Sequence, residues 1–255
     1  MAGANGGVIA TGDADSAGAF LTAEWRDLVL VNFEAPAALL APLVPRGTKL
    51  DRHRGIAFVS LVGFRFLNTR VLGCRVPGHV DFDEVNLRFY VRRELDGEER
   101  RAVTFVKEVV PRRLIASLAR AAYNEPYVAL PMHSEVRTGD ADASTRARYV
   151  WRSGAGEHQI EVLTRSEFRL PAPGSDEAFI TEHYWGYTRQ RDGGTIEYRV
   201  THPTWRLRQA ATASVEGDMA AFYGPEWHEV LSAPPVSAYL AEGSAVTVFR
   251  PRRIT

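Results

Sequence analysis

The stretch Thr181–Trp205, T-E-H-Y-W-G-Y-T-R-Q-R-D-G-G-T-I-E-Y-R-V-T-H-P-T-W, says most about the fold of this chain. Asp192–Gly194 offers the positive φ angles that a tight hairpin needs, and Thr195–Val200 alternates with the period of a half-buried strand. The aromatic residues and histidines around this turn are typical of a pocket wall and equally of an ordinary β core edge. The stretch therefore predicts a β-hairpin and leaves its role open.

Working outward from this hairpin, most of the chain reads as strand. A second hairpin is predicted around Asp96-Gly97, because strand patterns at 81–94 and 101–108 flank that turn. Helices are predicted at 36–44 and 111–123, the latter ended by Asn124-Glu125-Pro126. Many strands and few helices predict a β-rich α+β fold, with one closed or nearly closed antiparallel domain at 20–255 after a mobile tail at 1–19.

Composition narrows the class of protein. Lys and Arg total 31 and Asp and Glu total 31, so the net charge is zero and argues against binding to nucleic acid or to an anionic membrane surface. The sequence has neither a secretory signal pattern nor an apolar run long enough to span a bilayer, and it has a single cysteine, Cys74. We expect a cytoplasmic protein whose partner is a small molecule.

Four motifs carry a family resemblance. They are F-I-T-E-H-Y-W-G-Y at Phe179–Tyr187, V-T-H-P-T-W at Val200–Trp205, E-V-N-L-R-F-Y-V at Glu84–Val91 and Y-N-E-P-Y-V-A-L-P-M at Tyr123–Met132. With these motifs the chain resembles the YqjF-like family of uncharacterised bacterial proteins, in the acetoacetate decarboxylase-like superfamily. The resemblance implies a single-domain conical antiparallel β-barrel with a few short helices, a pocket at its mouth and a homo-oligomeric assembly.

The same resemblance implies a changed site. Acetoacetate decarboxylases use a Schiff-base lysine whose pKa is lowered by a second lysine beside it, in a Pro-Lys-Lys segment. The matching segment here is Pro126-Tyr127-Val128, so no imine can form at that place. One pocket carboxylate of that family matches Glu84, whereas the other falls at Ser60. The fold is therefore expected to carry over better than the activity.

The strand at 81–94 supplies the first candidate site residues. Glu84, Asn86 and Arg88 share one face of a regular strand and either line a polar pocket or lie on a solvent-exposed face. In the pocket interpretation, Arg88 holds a substrate carboxylate and Glu84 moves protons. Further binding residues are proposed from the aromatic segments, namely Tyr127, Tyr184, Tyr187 and His202. His183 is the second candidate acid–base group, because an imidazole titrates near neutral pH.

Three functional hypotheses follow. The leading one is a pocket for a small organic molecule of keto acid or carbonyl type, with no metal and no cofactor. The second is a lyase whose amine has moved to Lys107, one of only two lysines, provided that its side chain points into the barrel; otherwise Lys107 pairs with a carboxylate or is solvated. The third is a non-catalytic oligomerising module with a sealed barrel, in which Trp185 and Trp205 face a partner chain.

Overall fold

The computed structural model describes residues 18–139 and 144–255, and the tail predicted at 1–19 lies outside this part except for Gly18 and Ala19. The strands are β1 (Ala19–Glu34), β2 (Lys49–Leu50), β3 (Phe58–Val71), β4 (Phe82–Leu95), β5 (Glu98–Val110), β6 (Tyr127–Ala129), β7 (Met132–Thr138), β8 (Thr145–Ser153), β9 (Gly156–Thr164), β10 (Trp185–Arg189), β11 (Thr195–Thr201), β12 (Leu207–Glu216), β13 (Ser237–Phe249) and β14 (Arg252–Arg253). The helices are α1 (Ala37–Leu40), α2 (Arg113–Tyr123), α3 (Asp176–Thr181), α4 (Met219–Tyr223) and α5 (His228–Ser232), with 3₁₀ turns at Ala41–Leu43 and Pro225–Trp227. Within the described ranges, no helix is both long enough and apolar enough to cross a bilayer.

The strands close into a ring. Pairing runs in the order β11, β10, β5, β4, β3, β1 and β13, and β13 pairs again with β11 through Val200–Val248 and Thr201–Thr247. This closure removes most free strand edges and confirms the predicted β-rich barrel. Two pairings, β5 with β10 and β5 with β6, are parallel, which the prediction of an antiparallel barrel does not include.

A second sheet covers one side of the ring. Strands β12, β9, β8 and β7 pair in that order, and β12 joins the sheet to β13. Between ring and sheet lies a cluster of buried apolar side chains, which we call the outer core; it includes Val29, Val31, Val59, Leu61, Val85, Leu87, Phe89, Tyr149, Trp151, Ile160 and Val162. Gly63 allows the close approach, because a Cβ there would lie 2.7 Å from the ring of Tyr149.

The face of β4 that looks into the ring is polar. Val85, Leu87 and Phe89 point outward into the outer core, whereas Glu84 and Asn86 on the alternate face line a cavity inside the ring. Because the second sheet shields the outer face of β4 from water, apolar residues are stable there, and the polar side chains of this strand face the cavity. Alternation along a strand cannot reveal this choice, since both faces are buried.

Three places depart from regular strand geometry. β13 runs unbroken from Ser237 to Phe249 and bends at Gly243 (φ 74°), where only a glycine fits. The segment after α2 is divided at Pro131, so that β6 pairs with β5 in the ring and β7 with β8 in the second sheet. In the hairpin turn only Gly193 has positive φ, at 81°.

Candidate functional site

A cavity of about 130 Å³ lies inside the ring under helix α2. Its apolar wall is formed by aromatic side chains of several strands, namely Trp25, Phe64, Phe66, Phe82 and Trp205. An engineered protein cavity of about 150 Å³ holds a benzene molecule, so this space is large enough for a small organic ligand. Its opposite wall is polar and comes mainly from β4, β5 and the segment after α2.

A short hydrogen-bonded chain lies on the polar wall. The Oε1 atom of Glu84 accepts a hydrogen bond of 3.0 Å from Asn86 Nδ2, and its Oε2 atom accepts one of 2.9 Å from the hydroxyl of Tyr127. Tyr127 reaches this position because β6 pairs with β5 directly after the turn at Pro126. A carboxyl group and a phenol in direct contact can pass a proton between them.

Among the described side chains that line the cavity, Arg88 is the only arginine, and none of them is a lysine. One Nη2–H group donates a 3.3 Å hydrogen bond to the carbonyl of Ile180, and the buried Nε has no hydrogen-bond partner. Within residues 18–139 and 144–255, no carboxylate lies within ion-pair distance of this guanidinium group. A cation beside a cavity without an ion-pair partner is a receptor for an anionic ligand.

Two further glutamates of the cavity are not predicted from the sequence. Glu108 lies opposite Asn86 in the β4–β5 pairing and opposite Tyr127 in the β5–β6 pairing. Glu125 follows α2, and its Oε1 atom accepts hydrogen bonds from the hydroxyl groups of Tyr198, at 2.8 Å, and Thr188. In the sequence, Glu125 could have been noticed because it lies inside the Tyr123–Met132 motif. No sequence pattern indicates Glu108, because an irregularity in strand pairing decides which way its side chain points.

That irregularity also removes Lys107 from the site. Val103 and Phe105 point into the ring, and continued alternation would bring in the side chain at 107. The pairing slips between Leu87 and Arg88 of β4, so one residue of β5 is extra and the alternation reverses. Glu108 therefore points inward, and Lys107 points outward with its amine donating to the carbonyl of Phe222 and 4.3 Å from the centre of that ring. The condition for a relocated Schiff-base amine is not met.

The cavity carboxyl groups are unusually basic. Burial raises the pKa of Glu84 to about 7, even though the hydrogen bonds from Asn86 and Tyr127 oppose this shift. Burial also raises the pKa of Glu125 to about 7, and the pKa of Glu108 lies well above its ordinary value because of burial and the nearby charges of Glu125 and Glu84. At neutral pH Glu84 and Glu125 are therefore poised between acid and base.

The two predicted histidines both line the cavity but are neutral. Burial, reinforced by the charges of Arg101 and Arg88, holds the pKa of His183 well below its ordinary value. Its ring stacks on Tyr90 at 4.6 Å, Nε2 lies 3.5 Å from Arg101 Nη2, and the buried Nδ1 has no partner. Burial also lowers the pKa of His202, whose ring stacks on Trp205 at 4.1 Å. His183 can thus offer a hydrogen bond to a ligand, but not a positive charge.

Two predicted binding residues lie elsewhere. Tyr187 is fully buried in the outer core, where its hydroxyl donates a 2.7 Å hydrogen bond to Glu197 Oε2. Tyr184 packs against the ring of His202 at 4.9 Å and does not line the cavity. Tyr187 lies opposite Glu197 in the β10–β11 pairing, and Glu197 points outward whereas the next residue, Tyr198, points into the cavity. Tyr187 therefore points outward as well. No group of three or more potential metal ligands occurs in the described part of the chain.

The fold is of the acetoacetate decarboxylase-like type, a strand ring closed around a cavity with one aromatic wall and one polar wall. The chain belongs to the family of uncharacterised conserved proteins designated DUF2071, whose model matches residues 22–245. It is similar to the uncharacterised protein YqjF of Bacillus subtilis, with 28% identity over 193 residues that cover 73% of this chain and 74% of YqjF. The predicted YqjF-like membership is thereby confirmed.

Solved structures show the same fold at low sequence identity. Acetoacetate decarboxylase of Legionella pneumophila matches with a TM-score of 0.65 and 13% identity, over 93% of this chain and 88% of that enzyme. The enduracididine biosynthesis enzyme MppR matches with a TM-score of 0.65 and 12% identity, over 96% and 91% of the two chains. An acetoacetate decarboxylase-like enzyme of Sphingomonas wittichii matches over 100% of both chains, with a TM-score of 0.59 and 15% identity. At these identities the likeness concerns the fold alone.

Proposed function

We propose that the cavity binds a small organic acid with a carbonyl group and moves a proton at the carbon next to that carbonyl. Arg88 holds the carboxylate, the aromatic wall covers the carbon chain, and Glu84 with Tyr127 handles the proton. The protein would thus keep the ligand class of its fold relatives while dispensing with the imine.

The single observation that carries this proposal is the unpaired charge of Arg88. Glu84 and Glu125, with pKa values of about 7, are only partly ionised at neutral pH, so they offset the guanidinium charge only in part. The guanidinium group is half-buried, donates to the Ile180 carbonyl and lies 5.8 Å from the ring centre of Tyr90, and a planar carboxylate can form two parallel, charge-assisted hydrogen bonds with it. Anionic ligands are therefore favoured at this end of the cavity.

The proton step follows from the Glu84–Tyr127 pair. Glu84, as carboxylate, takes a proton from the carbon beside the carbonyl, and the electron pair of that C–H bond moves onto the carbonyl oxygen. Arg88 and the Nδ1–H group of His183 are the donors available to stabilise the resulting enolate. In heavy water the proton on Glu84 exchanges with a solvent deuteron before reprotonation, and delivery of that deuteron to the same carbon completes a hydrogen–deuterium exchange with no other net change.

The test compares 2-oxopentanoate with pentan-2-one, which lacks the carboxylate. Calorimetry is expected to detect the acid and to find the ketone at least about tenfold weaker, with Arg88→Gln removing that difference. Proton NMR in heavy water is expected to record exchange next to the carbonyl, which Glu84→Gln abolishes while binding persists.

The matched control is Lys107→Met on the outer face, which is expected to bind and exchange like the wild type. Borohydride treatment in the presence of the acid is expected to leave no covalent adduct. An adduct on Lys107 would establish the imine mechanism instead. If neither 2-oxopentanoate nor its shorter and longer homologues bind, the proposed function is wrong.

A further inference from the structure

The polar wall of the cavity contains a group of acceptor atoms that the mechanism above does not use. Asn86 Oδ1, Glu108 Oε2 and Glu125 Oε2 are buried and have no hydrogen-bond partner. The three residues are 2%, 2% and 5% exposed, and all of them line the same cavity. Buried acceptors are normally satisfied, so these oxygens need a donor: a proton that Glu108 and Glu125 share, or the N–H groups of a ligand.

The local hydrogen bonds explain why these particular atoms remain free. Asn86 uses its Nδ2–H for Glu84 Oε1, which turns its Oδ1 the other way. Glu125 uses its Oε1 for the hydroxyl groups of Tyr198 and Thr188. Asn86 and Glu108 lie opposite each other in neighbouring strands, and so their free oxygens share one part of the wall.

No cation of the protein serves these acceptors. In the described ranges, no arginine, lysine or histidine forms an ion pair with Glu108 or Glu125. Arg88, the cation of the cavity, lies two residues farther along β4 than Asn86, which is about 7 Å at the usual rise of a strand. The free acceptors and the free guanidinium group thus form two separate, oppositely charged ends of one space.

We propose that Asn86, Glu108 and Glu125 form a nitrogen subsite, which binds a protonated amine, amidine or guanidinium group at the far end of the acid held by Arg88. The binding of the ligand's carboxylate by Arg88 is taken from the proposed function, on which this inference rests. The ligand is then a small zwitterion, with its nitrogen and its carboxylate about 7 Å apart, the distance along β4 between the two ends. Its N–H groups supply the donors that the three acceptors lack.

Without ligand, the Glu108–Glu125 pair can satisfy itself by sharing a proton, because two neighbouring carboxylates do not both ionise readily. A cationic nitrogen takes over the role of that proton. Binding should therefore release a proton from the pair, which an uncharged ligand tail would not do. This linkage separates the nitrogen subsite from a merely structural carboxyl pair.

The test uses 5-aminopentanoate and hexanoate, which have the same length and differ only in the ammonium or methyl end. At about pH 7 we expect 5-aminopentanoate to bind at least about tenfold more tightly, with release of about one proton, measured by calorimetry in buffers of different ionisation enthalpy. A guanidino acid of the same chain length should share this preference.

Glu108→Gln and Glu125→Gln are expected to reduce the preference to less than about threefold and to leave hexanoate affinity within about twofold. Either variant suffices if the other does not fold, as judged by thermal unfolding. Glu216→Gln, at an exposed position of β12, is the matched control and should retain the full preference.

The outcomes distinguish the two proposals. Equal affinity for the two acids, or tighter binding of hexanoate, overturns the nitrogen subsite and leaves the acid site at Arg88 in place. A preference that persists in both glutamine variants also overturns it. If neither these acids nor 2-oxopentanoate bind, the proposed function fails as well.

Discussion

Buried carboxyl groups on the two faces of the strand ring are partnered in opposite ways. On the outer face, Glu197 of β11 is fully buried and contacts Arg93, Arg100 and Arg252 at 3.1, 3.1 and 2.6 Å. Burial alone would raise its pKa, but the hydrogen bond from Tyr187 and the arginines bring the pKa below the ordinary value. This carboxylate holds β4, β5, β11 and β14 together.

On the inner face, Glu84, Glu108 and Glu125 are just as inaccessible but contact hydroxyl and amide groups instead of cations. Their pKa values move upward, as expected for acids that are buried without a counter-charge. A buried carboxylate that is paired with cations helps to hold the structure together. A buried acid without a counter-charge costs stability, and such acids occur mainly at sites where a ligand can supply the missing charge. The contrast agrees with the proposal that the ligand binds at the interior face.

The largest expected effect concerns the outer carboxylate. Glu197→Gln removes the counter-charge from three arginines while keeping the shape of the side chain. Arg93 and Arg100 would be left largely buried without a counter-charge, whereas Arg252 is more than half exposed and would be hydrated by water. We therefore expect the free energy of unfolding to fall by about 2–4 kcal/mol. Urea denaturation at about pH 8 measures it.

Glu108→Gln is the matched change on the inner face and should leave the free energy of unfolding unchanged or increase it at the same pH, because it removes an unpaired buried acid. A loss as large as that of Glu197→Gln would mean that the interior acids are structural, and the contrast between the two faces would then fail.

An effect of comparable size is expected from pH. Glu84 and Glu125 have pKa values of about 7 in the folded protein against an ordinary 4.5, so the folded state binds more protons between these values. Their stabilising contribution is complete below about pH 4.5 and is lost as the pH rises toward about 7, by at most about 1.4 kcal/mol per pH unit for one group. Glu197 acts in the opposite sense, and its contribution is lost as the pH falls through its lowered pKa.

Unfolding free energies between about pH 4 and pH 9 measure both slopes. Glu84→Gln should reduce the loss of unfolding free energy between about pH 4.5 and pH 7 and leave the loss at lower pH unchanged. Glu197→Gln should reduce the loss at low pH and leave the loss toward neutral pH unchanged. A wild-type stability that rises steadily from pH 5 to pH 8, with Glu84→Gln following the same curve, would contradict the unpaired state of the inner acids.

The smallest expected effect concerns one hydroxyl group. Tyr127→Phe removes a hydrogen bond that favours the charged form of Glu84, so the pKa of Glu84 should rise further, by about one unit. Carboxyl carbon NMR follows this titration. Tyr198→Phe is the control, since its hydroxyl serves Glu125 and should leave the titration of Glu84 unchanged.

Much of the strand ring can be predicted from local patterns. The turn at Asp96-Gly97 and the alternation on both sides of it fix the β4–β5 hairpin. Helix α2 ends at Tyr123, with Asn124 as its left-handed C-cap and Pro126 two residues farther on. Glu84, Asn86 and Arg88 are found together by the same alternation. What their common face meets is not local information, because the second sheet that covers the opposite face comes from residues far along the chain.

The remaining site residues depend on register. The slip opposite Leu87 and Arg88 turns Glu108 inward and Lys107 outward, which reverses the roles that regular alternation suggests. Glu125 and Tyr198 meet only because β10 and β11 fold back beside the end of α2. A one-residue slip leaves no mark in composition or in hydrophobic period, so these contacts could not be predicted.

The amino-acid sequence by itself determined the β-rich fold, its family motifs and the absence of lysine at Pro126-Tyr127-Val128, since these follow from periodicity, turn chemistry and residue identity. Tertiary structure alone decided which face of β4 is the interior and which of Lys107 and Glu108 belongs to the cavity. The physical reason is that side-chain direction in a closed sheet is set by pairing register and by what covers the other face, and both arise from residues distant in the chain.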